Sequence, residues 1–257
     1  MMQDRIRRTA ARPPAAEAAI PMIAQCPHAA EPGLCEQCKV RSVSVCAALG
    51  PDELAELERL AEAAIFAKDE AVVAAGEPAS SVYNLTAGSV RLLRLLPDGR
   101  RQIVGFLLPG DFVGLSLAER HAFSAEAIEP VRACRFARTA FSSLVDAKPH
   151  LLRRLHEAAT HELSIAQDHM VLLGRRSAEE KVAAFLVGLR DRLVRLGGSA
   201  VTIPLAMTRQ DIADYLGLTI ETVSRTISRM GRDRVLLVVP DGIRIIDAPR
   251  LETLAAS

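Results

Sequence analysis

The stretch MTRQDIADYLGLTIETVSRTISRM, residues 207–230, decides the fold of the C-terminal third of this chain. Thr208 can cap a first helix, and Gly217 lies where the chain must reverse, a conformation that glycine adopts at low cost. Thr219 can then cap a second helix. On that helix apolar residues recur at i, i+4 and i+7, namely Val223, Ile227 and Met230. The pattern predicts two short helices around a tight turn, the second with one buried face.

The remaining surface of the second helix is polar. Arginine can pair with guanine through two hydrogen bonds, glutamate can accept one from the cytosine amino group, and serine suits either base. A helix that carries these residues near its N-terminal end fits the major groove of DNA. An ordinary corner between two core helices has the same spacing and stays the alternative. The predicted DNA-contacting residues are Thr208, Arg209, Thr219, Glu221, Thr222, Ser224, Arg225 and Ser228.

The flanking segments complete a winged helix-turn-helix domain over residues 175–257. A capping box, SAEE at 177–180, opens a helix that continues to about Leu196. Residues 201–203 predict a short strand. Two apolar runs, 235–239 and 243–246, flank Pro-Asp-Gly and predict a hairpin, which forms the wing.

Length and composition indicate a globular protein with two modest domains. The chain has 257 residues, of which 49% are apolar and 25% charged, and its net charge is +1. No apolar run is long enough to span a bilayer, and no secretory signal is present. We therefore expect a cytoplasmic protein without a membrane partner.

The cysteines are concentrated near the N-terminus. A C-x2-C pair aims two thiolates at one ion or cluster, a third cysteine follows after seven residues, and Lys39 and Arg41 between them favour thiolates. In a cytosolic chain such a group indicates metal or redox chemistry before disulfides. Segment 26–50 has so little apolar content that we expect a metal centre to help order it. The five cysteines are Cys26, Cys35, Cys38, Cys46 and Cys134.

The rest of the N-terminal half changes from arm to helix to strands. Residues 1–25, rich in Ala, Arg and Pro, predict a disordered arm. Pro51 to Ala64 predicts a helix. From Ile65 on, short apolar runs alternate with turn signals about every ten residues, which is typical of an antiparallel sandwich or barrel within a domain at 51–148. Cys134 falls in a late strand of this domain, where a lone cysteine is most often a buried thiol.

A long helix is predicted at 149–174. Its apolar residues are spaced by threes and fours, as in a coiled-coil seam, so we predict a homodimer. A helix packed entirely on its own sheet is the alternative. The predicted dimer contacts are Leu152, Leu155, Ala159, Leu163, Ala166 and Met170.

The order of these parts and several motifs resemble the CRP/FNR family of bacterial transcription regulators. The motifs are LPGDFVG at 108–114, SAEEKVAAF at 177–185, MTRQDI at 207–212 and YLGLTIETVSR at 215–225. The resemblance implies an α+β chain: N-terminal cysteine arm, antiparallel β-roll of the cyclic-nucleotide-binding jelly-roll type, long dimerisation helix and C-terminal winged helix-turn-helix. It also implies that Glu221, Ser224 and Arg225 read bases in a palindrome of TTGAT-type half-sites.

The spacing C-x2-C-x7-C is similar to that of the oxygen-sensing FNR-like proteins of rhizobia. Carried over, this resemblance implies a [4Fe–4S] cluster on Cys35, Cys38, Cys46 and Cys134, with Cys26 spare. The sequence after Gly114 lacks the Glu and Arg-Ser arrangement of the cyclic AMP-binding branch, so no cyclic nucleotide is expected. A loop around Asp98, Gly99 and Arg100 resembles a surface by which relatives touch RNA polymerase, although an exposed hairpin turn needs no such purpose.

Two other functional classes compete with an oxygen-responsive, cluster-controlled regulator. Four cysteines also suit a structural zinc site or a thiol–disulfide switch in a DNA-binding regulator. An iron–sulfur enzyme is disfavoured, because the chain has no C-x3-C-x2-C radical motif, nucleotide loop or nucleophile triad.

Overall fold

The structure, a computed structural model, describes residues 35–115 and 118–256. The predicted disordered arm at 1–25 and Cys26 lie outside the described residues. Within the described part, no helix combines the length and the apolar character needed to cross a membrane.

The chain forms seven helices and eleven strands in its described part. The helices are α1 Pro51–Leu60, α2 Arg138–Asp146, α3 Pro149–Arg175, α4 Ala178–Arg195, α5 Arg209–Leu216, α6 Ile220–Arg232 and α7 Ala248–Ala256. The strands are β1 Ala61–Phe66, β2 Ala71–Val73, β3 Ser81–Ala87, β4 Val90–Leu95, β5 Arg101–Leu107, β6 Phe112–Val113, β7 Ser124–Ala127, β8 Val131–Ala137, β9 Thr202–Pro204, β10 Leu236–Val239 and β11 Gly242–Ile245.

The first eight strands form the β-roll, as two antiparallel sheets of four strands. Their orders are β1-β8-β3-β6 and β2-β7-β4-β5. The two sheets bury an apolar core between them, to which Leu85, Val90, Val113 and Val131 contribute. Because side chains alternate along a strand, the residues next to these point to the outer faces of the sheets.

The outer face of the first sheet holds a second core. Val82 of β3 and Phe136 of β8 pack there with α1, α2 and the start of α3. The cysteine segment joins this core through two short 3₁₀ turns, Arg41–Val43 and Val45–Ala48. Val40, Val45 and Leu49 of that segment are buried, so apolar packing anchors it, which the low apolar content of the segment had not predicted.

The predicted helix over Pro51–Ala64 ends at Leu60, four residues early. Residues 61–66 form β1 instead, which pairs with β8 from Ala61↔Phe136 to Phe66↔Val131. The run of alanines and Glu62 has a high helix propensity, but the pairing partner lies far along the chain and a local pattern cannot reveal it.

The long helix α3 faces two environments. Leu151 is buried in the core that contains the cysteine segment, and Leu172 lies in the core of the C-terminal domain. Leu152, Leu163 and Met170 are more than half exposed. The helix therefore packs on its own chain and also leaves an apolar stripe uncovered.

The C-terminal domain is a winged helix-turn-helix. Strands β10 and β11 pair antiparallel from Leu236↔Ile245 to Val239↔Gly242, and β9 completes a three-stranded sheet. The predicted hairpin is present, and α4, α5 and α6 pack on this sheet. The short helices α2 and α7 had not been predicted.

Candidate DNA-reading face and cysteine site

The helix-turn-helix forms by the local interactions that its sequence predicts. Thr208 Oγ1 accepts a hydrogen bond from the Asp211 backbone N–H at 3.1 Å, and the Asp211 carboxylate accepts one from the Thr208 N–H at 2.9 Å. Gly217 ends α5 with φ 62°, in the left-handed region. Thr219 Oγ1 accepts a hydrogen bond from the Thr222 N–H at 3.2 Å and so caps α6.

The polar face of α6 is accessible. Val223, Ile227 and Met230 are buried, as their spacing predicts. Of the residues expected to meet DNA, Ser224 and Thr222 are half-buried, and the exposed ones are Thr208, Thr219, Glu221, Arg225 and Ser228. The pKa of Glu221 is lowered by the backbone N–H at its own position and by the Thr219 hydroxyl, so its carboxylate is held ionised as an acceptor.

Arg209 and Arg229 differ from Arg225. Arg209 is half-buried, and one of its guanidinium nitrogens is buried without a hydrogen-bond partner among residues 35–115 and 118–256. Burial lowers the pKa of Arg209. Arg229, one turn after Arg225 on α6, forms a salt bridge of 2.7 Å with Glu179 of α4. Arg225 therefore presents the more available cation on the recognition helix.

The first helix of the motif is tied to the β-roll by charged side chains. Asp211 is only 1% exposed, and its carboxylate lies 2.8 Å from the Arg101 guanidinium and 3.5 Å from that of Arg91. Arg101 also pairs with Asp214 at 2.8 Å, and the Gln102 side chain donates to the Asp214 carbonyl. The Asp211 partner in β5 lies 110 residues earlier, so no local pattern predicts the contact.

Helix α3 and the helix-turn-helix also meet directly. His169 of α3 stacks on Tyr215 of α5, with ring centroids 4.1 Å apart. The buried Lys181 Nζ donates to the carbonyls of Leu173 at 3.0 Å and Leu216 at 3.4 Å, near the C-terminal ends of α3 and α5. An ammonium there is favourable because both helix dipoles end in partial negative charge.

The four cysteines predicted to be ligands come together from two distant segments. Cys46 and Cys134 are buried in the core on the outer face of the first sheet, and Cys35 packs against it. Cys38 is half-buried and lies near enough to the other three sulfurs for a thiolate there to raise their pKa values. All four are thiols in the structure.

Burial sets the protonation of these thiols. It raises the pKa of Cys35 to about 12, with Glu58 and the neighbouring cysteines adding to the effect. Burial also raises the pKa values of Cys46 and Cys134. Arg41 lowers the pKa of Cys35, as its position predicts, but burial is the larger effect. A buried thiolate therefore requires a cation to stabilise it, which a metal centre supplies.

No three Cys, His or carboxylate side chains converge on a single ion site within 35–115 and 118–256. Each thiolate of a [4Fe–4S] cluster binds a different iron, so its sulfurs need not converge on one point. A buried amide, Asn84, adds a polar group to this otherwise apolar core, and its Nδ2 donates to Cys46 Sγ at 3.7 Å.

The loop that resembles the RNA polymerase contact of relatives is the exposed turn between β4 and β5. Leu96 N–H donates to the Arg100 carbonyl at 2.8 Å, and Gly99 has φ 83°. Asp98 accepts a hydrogen bond from Arg100 Nε at 2.7 Å, and both side chains are well exposed. The turn presents one negative and one positive group to solvent.

The stripe predicted to form the dimer interface is mostly uncovered. Five of its residues are exposed, namely Leu152, Ala159, Leu163, Ala166 and Met170. Leu155 is half-buried and packs against the core that holds the cysteines. The start of the helix therefore connects the cysteine site to the uncovered stripe.

Comparison with known proteins defines the class. The model of the cyclic nucleotide-binding domain matches residues 64–148, and that of the Crp-like helix-turn-helix domain matches residues 180–254. The transcriptional activatory protein AadR of Rhodopseudomonas palustris is 53% identical over 224 residues, which cover 87% of this chain and 94% of that protein. The nitrogen fixation regulation protein FixK of Bradyrhizobium diazoefficiens is 52% identical over 223 residues, covering 87% and 94%.

Among solved structures, FixK2 from Bradyrhizobium japonicum is similar, with a TM-score of 0.72 and 39% identity. The match covers 77% of this chain and 98% of that one. The chain belongs to the CRP/FNR family of transcription regulators. It is therefore a DNA-binding regulator and not an enzyme, which removes the iron–sulfur enzyme from the alternatives.

Proposed function

We propose that the protein is an oxygen-responsive transcription regulator of the cytoplasm. In this proposal it binds a palindromic DNA site with TTGAT-type half-sites as a homodimer and is controlled by a [4Fe–4S] cluster. Cys35, Cys38 and Cys46 would hold the cluster from the arm, and Cys134 from β8. Its activator role is inferred from the activator name of the relative AadR.

One observation carries the sensor part of this proposal. Cys134 lies far along the chain from the other three cysteines, yet shares one buried core with Cys46, against which Cys35 packs. Three of the four thiols, those of Cys35, Cys46 and Cys134, have raised pKa values and therefore favour a cationic centre that makes them thiolates. The buried Oδ1 of Asn84 next to Cys46 has no hydrogen-bond partner among the described residues. Because buried polar groups are normally hydrogen-bonded, this also supports a functional role for the core.

The cysteine segment and the dimer helix share that core. Leu151 of α3 is buried there, and Leu155 packs against it. When bound, the cluster supplies an oxygen-labile link between the arm and β8. Ligation through both segments would hold the arm against the start of α3, and loss of ligation would free it. This is an order–disorder switch that acts on dimerisation.

The proposal that the protein recognises DNA bases rests on the exposed face of α6. Arg225 and Glu221 stand on it near the N-terminal end, where a recognition helix meets base edges. A homodimer carries two such helices, so it would read a site with two-fold symmetry. The exposed stripe of α3 supports the dimer, and Asp98 and Arg100 in the β4–β5 turn are the proposed contact with RNA polymerase. Binding of a cyclic nucleotide is not part of this proposal.

A structural zinc ion or a thiol–disulfide switch would use the same cysteines. Visible colour separates these alternatives, because an iron–sulfur cluster absorbs visible light and zinc does not. The test is anaerobic purification of the full chain, followed by a visible spectrum and by iron, sulfide and zinc analysis. We expect a coloured protein with about four irons and four sulfides per chain. A colourless protein with one zinc would contradict the sensor mechanism and leave DNA binding intact.

A further inference from the structure

Asn84 is a buried amide in a core that is otherwise apolar. It is 3% exposed, and it lies on the same face of β3 as Val82, two residues before it. A carboxamide placed there costs free energy unless its polar atoms are hydrogen-bonded. Its Nδ2 donates to Cys46 Sγ, whereas its Oδ1 has no partner among residues 35–115 and 118–256. A buried amide with only one of its two polar atoms hydrogen-bonded contributes little to the stability of a fold.

The strand register sets this amide beside the second sulfur segment. Asn84 lies directly opposite Cys134 of β8 in the antiparallel pair. Opposite residues share a face, with Cβ atoms about 4.5–5.5 Å apart. On its other side Asn84 pairs with Phe112 of β6, whose ring packs against the same core. Asn84 thus stands between the sulfur of the arm and the sulfur of the strand.

The Cys46 sulfur is held from its own segment as well. Ser44, which is 2% exposed, accepts a hydrogen bond from the Cys46 backbone N–H at 3.1 Å and so fixes the turn that carries the thiol. The side-chain N–H of Asn84 approaches the same sulfur from the β-roll. Hydrogen bonds to ligating sulfur atoms help to set the reduction potential of an iron–sulfur cluster, and such outer partners also orient the ligands.

We propose that Asn84 is a positioning residue of the cysteine site. Its N–H···S hydrogen bond holds the Cys46 thiolate towards Cys134 and stabilises the negative charge of the ligated sulfur. This inference rests on the proposed iron–sulfur function. It assigns to one strand residue of the β-roll, outside the cysteine motif, a share in how firmly the cluster is held and how easily it is lost.

The test compares Asn84→Leu and Asn84→Asp with Thr86→Val in the full-length protein under anaerobic conditions. Leucine has a similar size but no donor, and aspartate keeps the shape but replaces the donor with an oxygen. Thr86 is the matched control, since it is buried on the same strand and its hydroxyl donates to the Arg132 carbonyl at 3.1 Å, away from the cysteines. Iron and sulfide content, reduction potential, bleaching rate in air and thermal unfolding of the cluster-free protein are measured.

We expect both Asn84 variants to retain iron at least about tenfold more weakly than the native protein. Any cluster that remains should have a more negative reduction potential and bleach several-fold faster. Cluster-free Asn84→Leu should unfold at or above the native temperature, because it removes an unsatisfied buried group. Thr86→Val should lower the unfolding temperature and leave the spectrum and the potential unchanged.

Three results would overturn the inference. If the native protein holds its cluster and both Asn84 variants match it in iron content, potential and bleaching rate, Asn84 has no role there, while the proposed function stands. If the iron loss in Asn84→Leu is accompanied by unfolding at a lower temperature than in Thr86→Val, the amide is structural. If the native protein itself lacks iron and sulfide, the proposed function fails and this inference fails with it.

Discussion

The recognition helix and the cysteine site differ in how their residues are brought together. On α6 the residues that we propose to meet DNA lie within eight positions of one another, and one helix geometry presents them together. At the cysteine site, Cys46 and Cys134 share a core only because the 3₁₀ turns pack on the outer face of the sheet that contains β8. The first is a local property of a short sequence, and the second exists only in the folded domain.

This difference has a chemical counterpart. Arg225 and Glu221 are exposed, and their charges are ready to meet a ligand that arrives from solvent. The cysteines are partly or fully buried, and burial raises the pKa values of Cys35, Cys46 and Cys134, which favours their protonated thiols. In the proposed mechanism the DNA-reading face is therefore complete in the free chain, whereas the cysteine site is completed by its cluster. The two ends can be disabled separately.

The largest effect should come from the cysteines. Changing any one of Cys35, Cys38, Cys46 or Cys134 to Ser should abolish visible absorbance in anaerobic protein, because an iron left without its thiolate is open to solvent. Palindrome binding should fall with it, measured by fluorescence anisotropy. Cys26→Ser is the matched control and should keep both colour and binding. Full colour in Cys134→Ser would remove β8 from the site.

The next effect concerns the connection between the two ends. Ala166→Asp should weaken the homodimer, because the introduced charge would be desolvated and would face its own copy across the two-fold axis. We expect a loss of about 3 kcal/mol in dimerisation free energy by sedimentation. Ser164→Asp is the control, since Ser164 is also exposed but lies about 200° around the helix from Ala166. An unchanged dimer in Ala166→Asp would mean that the interface is elsewhere.

At the reading end, Arg225→Ala should cost about 1–3 kcal/mol per half-site and relax the preference at one guanine. Arg229→Ala should cost less on the specific site, because Arg229 is already paired with Glu179 at 2.7 Å. Binding to specific and to random DNA is compared at one salt concentration. If Arg225→Ala weakened both equally, Arg225 would contact phosphate only. The colour of the protein should not change in either variant.

The smallest effect should appear where the β-roll meets α5. Arg101→Gln removes a charged partner of the buried Asp211, so we expect the free energy of unfolding to fall by about 1–3 kcal/mol. Arg100→Gln is the neighbouring control, whose partner Asp98 is exposed, and an exposed pair contributes about 0–1 kcal/mol. The free energies of unfolding of both variants are measured by denaturant titration and compared with that of the native protein. Equal losses would show that the contact between β-roll and α5 contributes nothing beyond a surface pair.

The sequence predicted the features that depend on neighbouring residues better than those that depend on distant ones. The caps Thr208 and Thr219, the turn at Gly217, the wing hairpin and the capping box at Ser177 depend on neighbours in the chain, and the structure confirms them. The resemblance supplied the domain order, and the family is confirmed. The assignment of particular residues to DNA, dimer and cluster stays a prediction.

Several of the misses involve partners that are distant in sequence. Residues 61–64 of β1 were predicted as helix because the pairing of this strand with β8 is invisible locally. Asp211 lies in the first turn of α5 and is buried against Arg101 of the β-roll, a contact that no local pattern predicts. No role of Asn84 could be predicted from the sequence. Its proximity to Cys46 and Cys134 becomes visible only in the folded domain.

The most direct test of the central claim titrates oxygen into one anaerobic sample of the native protein. Visible absorbance, the dimer fraction by sedimentation and the affinity for the palindrome are followed at each addition. We predict that all three fall in parallel, since loss of ligation frees the arm and shifts dimerisation. Bleaching that leaves both the dimer fraction and the affinity unchanged would contradict the claim that the cysteine site controls the recognition helices through the dimer.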